Sequence, residues 1–170
     1  NNHPGKYFTM KKIITLIFGL FMLGQAQAEL RVPAFTAYLD PDPDGAEVSA
    51  RAGISGWTDP SLKVLWFGEI KNPGELDCSL ELRLPVGSES RLRLTVAGKS
   101  HDVTMKGAGD NSVKADFGSF DIPKAGYQRF TLESLNAKDQ PAGNLQTLVL
   151  DGPAAADAHF NLKSRRNAAS

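Results

Sequence analysis

Leu76, Cys78, Leu80, Leu82 and Leu84 alternate with Asp77, Ser79, Glu81 and Arg83. A strict period of two puts every apolar side chain on one face of an extended strand, whereas a helix would scatter them around its axis. Leu92, Leu94 and Val96 repeat the pattern against Arg91, Arg93 and Thr95. Further strands are predicted at 64–70, 103–105, 113–122, 130–135 and 145–150, with 31–39 as the first. Pro60, Pro73, Pro123 and Pro141 break the stretches long enough to make helices, and the single short helical reading falls at 157–160. Strands with one apolar and one polar face, separated by Gly, Pro, Asn and Asp turns, predict an all-β fold, an antiparallel β-sandwich or barrel.

A weak internal echo runs through this pattern. Ile70 is followed by Gly74, Cys78 and Leu80, and 52 positions later Ile122 is followed by Gly126, Phe130 and Leu132. Each set reads as an outgoing strand, a turn with Pro and Gly, and a returning strand, so two similar hairpin corners are expected.

The start of the chain carries a different signal. Lys11 and Lys12 follow Met10, the run 13–23 is apolar, and Ala26-Gln27-Ala28 is a small-x-small cleavage pattern. Together these predict a signal peptide at 10–28, with 1–9 an upstream extension and the mature chain beginning at Glu29. The apolar run is about half of the roughly 20 residues a membrane span requires. The expected location is therefore exported, periplasmic or extracellular, with no membrane attachment after cleavage. Loss of Lys6, Lys11 and Lys12 leaves sixteen basic against nineteen acidic residues, a net charge of −3. Such a surface does not attract nucleic acid. The single cysteine, Cys78, excludes a disulfide framework and is expected in the core.

The segments Ile70…Pro73-Gly74, 76–84, 91–98 and Phe117-Gly118-Ser119-Phe120…Ala125-Gly126-Tyr127 resemble galactose-binding-like jelly rolls, which include many carbohydrate-binding modules. A second set is similar to an uncharacterised secreted bacterial family, the domain of unknown function 5077 type, usually placed ahead of a domain of unknown function 3472. It comprises Ala37-Tyr38-Leu39, Pro43-Asp44-Gly45, Gly56-Trp57-Thr58-Asp59-Pro60, 148–153 and His159-Phe160-Asn161-Leu162-Lys163 with 165–170. The resemblance implies a sandwich domain at 29–156, a connector at 157–170 and a following C-terminal domain as partner.

Few residues offer themselves for chemistry. The loop Asp40-Pro41-Asp42-Pro43-Asp44-Gly45 has the opening spacing of a calcium loop, but its twelfth position is Arg51 where a bidentate Glu is required. That leaves two readings of Asp40, Asp42 and Asp44, a structural calcium in another oxygen cage or a solvated turn. No other cofactor is expected. Trp57 stands in a loop-rich stretch and is either a sugar-stacking platform, with Tyr38 and Asn144 as neighbours, or a plug at the end of the sandwich. Trp66 is expected in the core, and His101 is expected to decorate a strand. No zinc spacing, nucleophile elbow or phosphate loop occurs, so no catalytic residue is named and the chain is not expected to be an enzyme.

Three functions fit these observations: a non-catalytic module that binds glycan or polysaccharide, a packing module without a ligand, or part of a carbohydrate-active enzyme whose site lies at the following domain. Exposure of Trp57 separates the first two, because an exposed ring favours sugar and a buried one favours packing.

Overall fold

The computed structural model describes residues 28–163. The extension at 1–9, nearly all of the expected leader and residues 164–170 lie outside the described residues. Among the described residues twelve strands form two sheets, all paired antiparallel. Sheet one runs β3 (Glu47–Ser49), β4 (Gly53–Ser55), β11 (Asn144–Asp151), β6 (Gly74–Arg83) and β9 (Val113–Ile122), with β1 (Leu30–Pro33) also on β11. Sheet two runs β12 (His159–Phe160), β5 (Lys63–Ile70), β10 (Gly126–Ser134), β7 (Glu89–Val96) and β8 (Lys99–Lys106), with β2 (Tyr38–Asp40) also on β5. The alternation read from the sequence fixes which face of each strand turns inward. Leu76, Cys78, Leu80 and Leu82 of sheet one meet Val64, Trp66, Leu92, Leu94, Phe130 and Leu132 of sheet two in one continuous core.

Four expectations are corrected. The first strand is split, because a 3-10 turn at Ala34–Thr36 separates β1 from β2 and carries the chain from sheet one to sheet two. The two expected hairpin corners are not hairpins, since β5 to β6 and β9 to β10 each cross between the sheets. The helical reading at 157–160 fails. Among the described residues helix is confined to 3-10 turns at Ala34–Thr36 and Pro153–Ala155, and His159–Phe160 pairs with β5. The sandwich therefore extends past residue 156, into what was expected to be connector.

Two polar devices hold the frame. Asn136 accepts from the Arg91 backbone N–H at 2.8 Å and donates to Ser90 Oγ at 3.2 Å and to the Pro141 carbonyl at 3.1 Å, while Ser90 donates to the Ala142 carbonyl at 2.9 Å. This satisfies the polar groups of the long β10–β11 connection. His101 sits on β8, as expected of a strand residue, with its side chain turned between the sheets. Its ring stacks on Phe120 at 4.3 Å, and its Nδ1 is 2.7 Å from the Phe117 carbonyl, which ties β8 to β9.

Candidate functional site

Trp57 is 1% exposed. Its indole N–H donates to the Asp59 carbonyl at 2.9 Å, and its own carbonyl accepts from the Ala142 backbone N–H at 2.9 Å. The ring therefore offers no face to a sugar and supports the β10–β11 connection from beneath. Asn144 stands at the same end of the sandwich, exposed in a shallow depression with Arg83, Val86 and Asp110. Tyr38 is elsewhere, on the outer face of sheet two. The three residues expected to form one site are thus not brought together.

The acidic loop links β2 of sheet two to β3 of sheet one and is exposed. Asp42 Oδ1 accepts the Asp44 backbone N–H at 2.9 Å, and the Asp42 carbonyl accepts from Gly45 at 3.1 Å. These are the bonds of an Asx turn, which the Asp-Pro-Asp-Gly composition favours. Among the described residues no three His, Cys, Asp or Glu side chains gather in a way that could hold a metal ion. Cys78 is buried, and burial pushes its thiol well above the usual range, which removes it as a nucleophile.

An aromatic strip that the sequence reading passed over lies on the outer face of sheet two. Inside β5, Val64, Trp66 and Ile70 point into the core, so Phe67 points out and is 45% exposed. Tyr127, at the start of β10, is 82% exposed. Tyr38 packs edge-on against Phe67, with ring centroids 5.6 Å apart and planes at 77°. Arg129 stands directly opposite Phe67 in the ladder, and Tyr127 stands opposite Glu69. Beside the strip a row of neutral side chains crosses five strands in register, from Tyr38 through Leu65, Thr131 and Thr95 to Ser100. The next row alternates in charge, Asp40, Lys63, Glu133, Arg93 and Asp102. Lys63 reaches Glu133 at 3.3 Å, and Arg93 reaches Asp102 at 2.7 Å. The signal for Phe67 was present in Val64-Leu65-Trp66-Phe67, where an unbroken apolar run on a half-buried strand must send alternate members outward.

This sandwich, with its exposed aromatics, coincides with a family match. A family described as "Domain of unknown function (DUF5077)" matches residues 32–155. The chain belongs to the DUF5077 family. No curated protein matches the chain in sequence. Among solved structures this DUF5077 chain is similar to the CBM36-1 domain of a multidomain xylanase from the hindgut metagenome of Trinervitermes trinervoides. That similarity has 15% identity and a TM-score of 0.59, and covers 74% of this chain and 98% of that one. It is also similar to CBM35 from Cellvibrio japonicus Abf62, with 12% identity and a TM-score of 0.58, covering 79% and 98%. A third is the carbohydrate-binding module CBM36 in complex with calcium and xylotriose, with 10% identity and a TM-score of 0.56, covering 72% and 99%. At these identities the likeness shows the fold alone, an antiparallel β-sandwich of the jelly-roll kind.

Proposed function

We propose that this DUF5077 chain is an exported, non-catalytic glycan-binding module that lays sugar rings on the outer face of sheet two. One observation carries the reading: Phe67 and Tyr127 stand exposed on a sheet face where the sandwich needs no aromatic side chain. An aromatic face packs against the C–H face of a pyranose, while polar groups around it fix orientation. Arg129, Glu69 and the hydroxyls of Thr131 and Thr95 supply such groups. The solved relatives support the class of ligand, because carbohydrate-binding modules with this fold include one holding xylotriose. Export rests on the basic, apolar and small-residue pattern at 10–28. Asp40, Asp42 and Asp44 are taken as a solvated turn in this reading, with the Asp42 carboxylate capping the backbone of that turn.

Affinity electrophoresis in gels containing xylan, mannan, galactan or acidic polysaccharides tests the proposal. At least one should retard the protein, and Phe67→Ala or Tyr127→Ala should abolish the retardation, since both side chains are on the surface and leave the core untouched. A protein retarded by none of them, or equally retarded after Phe67→Ala, overturns it. A packing module is the second reading, favoured by the burial of Trp57. It requires the same aromatic face to be covered by the domain expected to follow, and predicts unchanged mobility in every polysaccharide gel.

A further inference from the structure

The aromatic strip on sheet two holds a cation that the sheet itself does not use. Arg129 is exposed, stands directly opposite Phe67 in the ladder between β5 and β10, and follows Tyr127 by two residues, so it shares their face. Tyr127 and Phe67 are diagonal neighbours across these strands, a placement that sets them about 7–8 Å apart. The Arg129 side chain therefore rises beside both exposed rings.

Pairing elsewhere on the face sets this cation apart. β5, β7 and β10 carry Lys63, Arg91, Arg93 and Arg129. Lys63 reaches Glu133 at 3.3 Å, and Arg91 and Arg93 reach Asp102 at 3.0 and 2.7 Å. The Arg129 guanidinium makes no ion pair or hydrogen bond among the described residues. Glu69, the carboxylate diagonal to it in the ladder, is held by Lys71 at 2.9 Å instead. The fold thus neutralises each cation of these strands except the one set among the exposed aromatics.

An exposed guanidinium is solvated, so its lack of a protein partner costs the fold nothing and leaves five N–H donors for a ligand. Those donors form a planar fork that fits a carboxylate or a similar oxyanion through two parallel hydrogen bonds. A neutral sugar needs only hydroxyl partners, which Thr131 and Thr95 supply from the adjacent row. We infer that the strip selects anionic glycans, with the carboxylate or sulfate oxygens of one sugar on Arg129 and the ring of a neighbouring sugar on Phe67 or Tyr127. The inference rests on the glycan-binding reading above and adds to it the charge of the ligand.

Calorimetric titration of the chain with two matched pairs tests the assignment: oligogalacturonate against its methyl ester, and a sulfated galactan against its desulfated form. At least one anionic member should bind, weaken with salt, and exceed its neutral counterpart by about tenfold or more, the scale of a charge-assisted hydrogen bond. The pair that shows the difference identifies carboxylate or sulfate as the group. Arg129→Gln should remove the difference, and Arg129→Lys should keep part of it, since an ammonium retains the charge without the fork. Neither substitution touches the core or an ion pair, so the urea midpoint should stay unchanged and unfolding cannot mimic the loss. Lys114→Gln, which removes the same charge from the outer face of sheet one, should bind as the unaltered chain does. Equal binding within both pairs, or a difference that survives Arg129→Gln, overturns the inference and leaves the glycan-binding reading standing. An equal loss in Lys114→Gln also overturns it, because net charge then explains the preference. Binding of none of the four, while a neutral polysaccharide still retards the chain in gels, overturns the inference alone. No binding and no retardation overturns both.

Discussion

Gly126 stands opposite Ile70 in sheet two, and the same relationship recurs in sheet one, where Gly74 stands opposite Ile122. The two sheet-crossing corners therefore interlock: each strand that leaves a sheet at an isoleucine is paired there by the strand entering at the other corner's glycine. Both isoleucines are fully buried, and the glycines adopt φ 135° and 142°, a region open to glycine and costly to other residues. A Cβ on Gly126 meets nothing within 4 Å, and one on Gly74 comes no closer than 3.5 Å to Pro153. Backbone strain is then the whole effect of substitution. Gly74→Ala and Gly126→Ala should each lower stability by about 1–3 kcal/mol, by similar amounts, in urea denaturation. A large difference between them would break the equivalence of the corners.

Gly68 works differently, by close approach. A Cβ placed there would lie 2.2 Å from the ring of Phe160, which covers Gly68 and packs against Phe130 at 5.4 Å. The ring of β12 can seal this end of sheet two only because residue 68 has no side chain. Gly68→Ala should detach β12 and cost about 2 kcal/mol or more, the scale of overpacking together with a lost aromatic contact. In a Phe160→Ala background the same substitution should cost much less. A double-mutant cycle read by thermal unfolding measures this coupling, and additive costs would show that β12 is not held through Gly68.

These contacts mark how far the sequence could be read. Alternation at 76–84 and 92–96 identified strands and inward faces, because period two is a local property. The Ile-to-Gly echo at 70–74 and 122–126 was also visible, but not its meaning, since a turn motif does not say whether the returning strand stays in its sheet. Trp57 illustrates the limit for sites. Its loop setting suggested exposure, whereas burial depends on the 139–142 segment, far along the chain, closing over it. Phe67 and Tyr127 were missed for the opposite reason. Each looks like ordinary strand composition until pairing shows them on one outer face.

The two tryptophans give a paired test of buried polar groups. The Trp57 N–H is satisfied by Asp59, whereas the buried Trp66 N–H has no partner among the described residues. Trp→Phe removes comparable volume at each site, but only at 57 does it discard a hydrogen bond. Trp57→Phe should therefore be the more destabilising by about 1 kcal/mol in urea denaturation. An equal or larger cost for Trp66→Phe would show that its N–H is bonded in solution.

Acid should weaken the outer face of sheet two through Asp102. Hydrogen bonds from Arg93, at 2.7 and 3.0 Å, and one from Arg91, at 3.0 Å, hold its carboxyl below the ordinary value of 3.8. A carboxyl whose folded pKa is depressed contributes stability that is fully present above its unfolded value. That contribution is lost as pH falls through the folded value. Asp59 acts in the same direction, because the backbone N–H and hydroxyl of Ser61 favour its charged form. Asp102→Asn should lower the urea midpoint at pH 6 by a modest amount, since exposed ion pairs are worth about 1 kcal/mol or less. Below the folded pKa of Asp102 the unaltered chain loses the same contribution, so the two midpoints should converge toward the acid limit of folding. A gap that stays constant from pH 6 down to that limit would mean that the substitution costs packing or geometry instead of charge, and that the Arg91–Asp102–Arg93 cluster adds no electrostatic stability to the sheet.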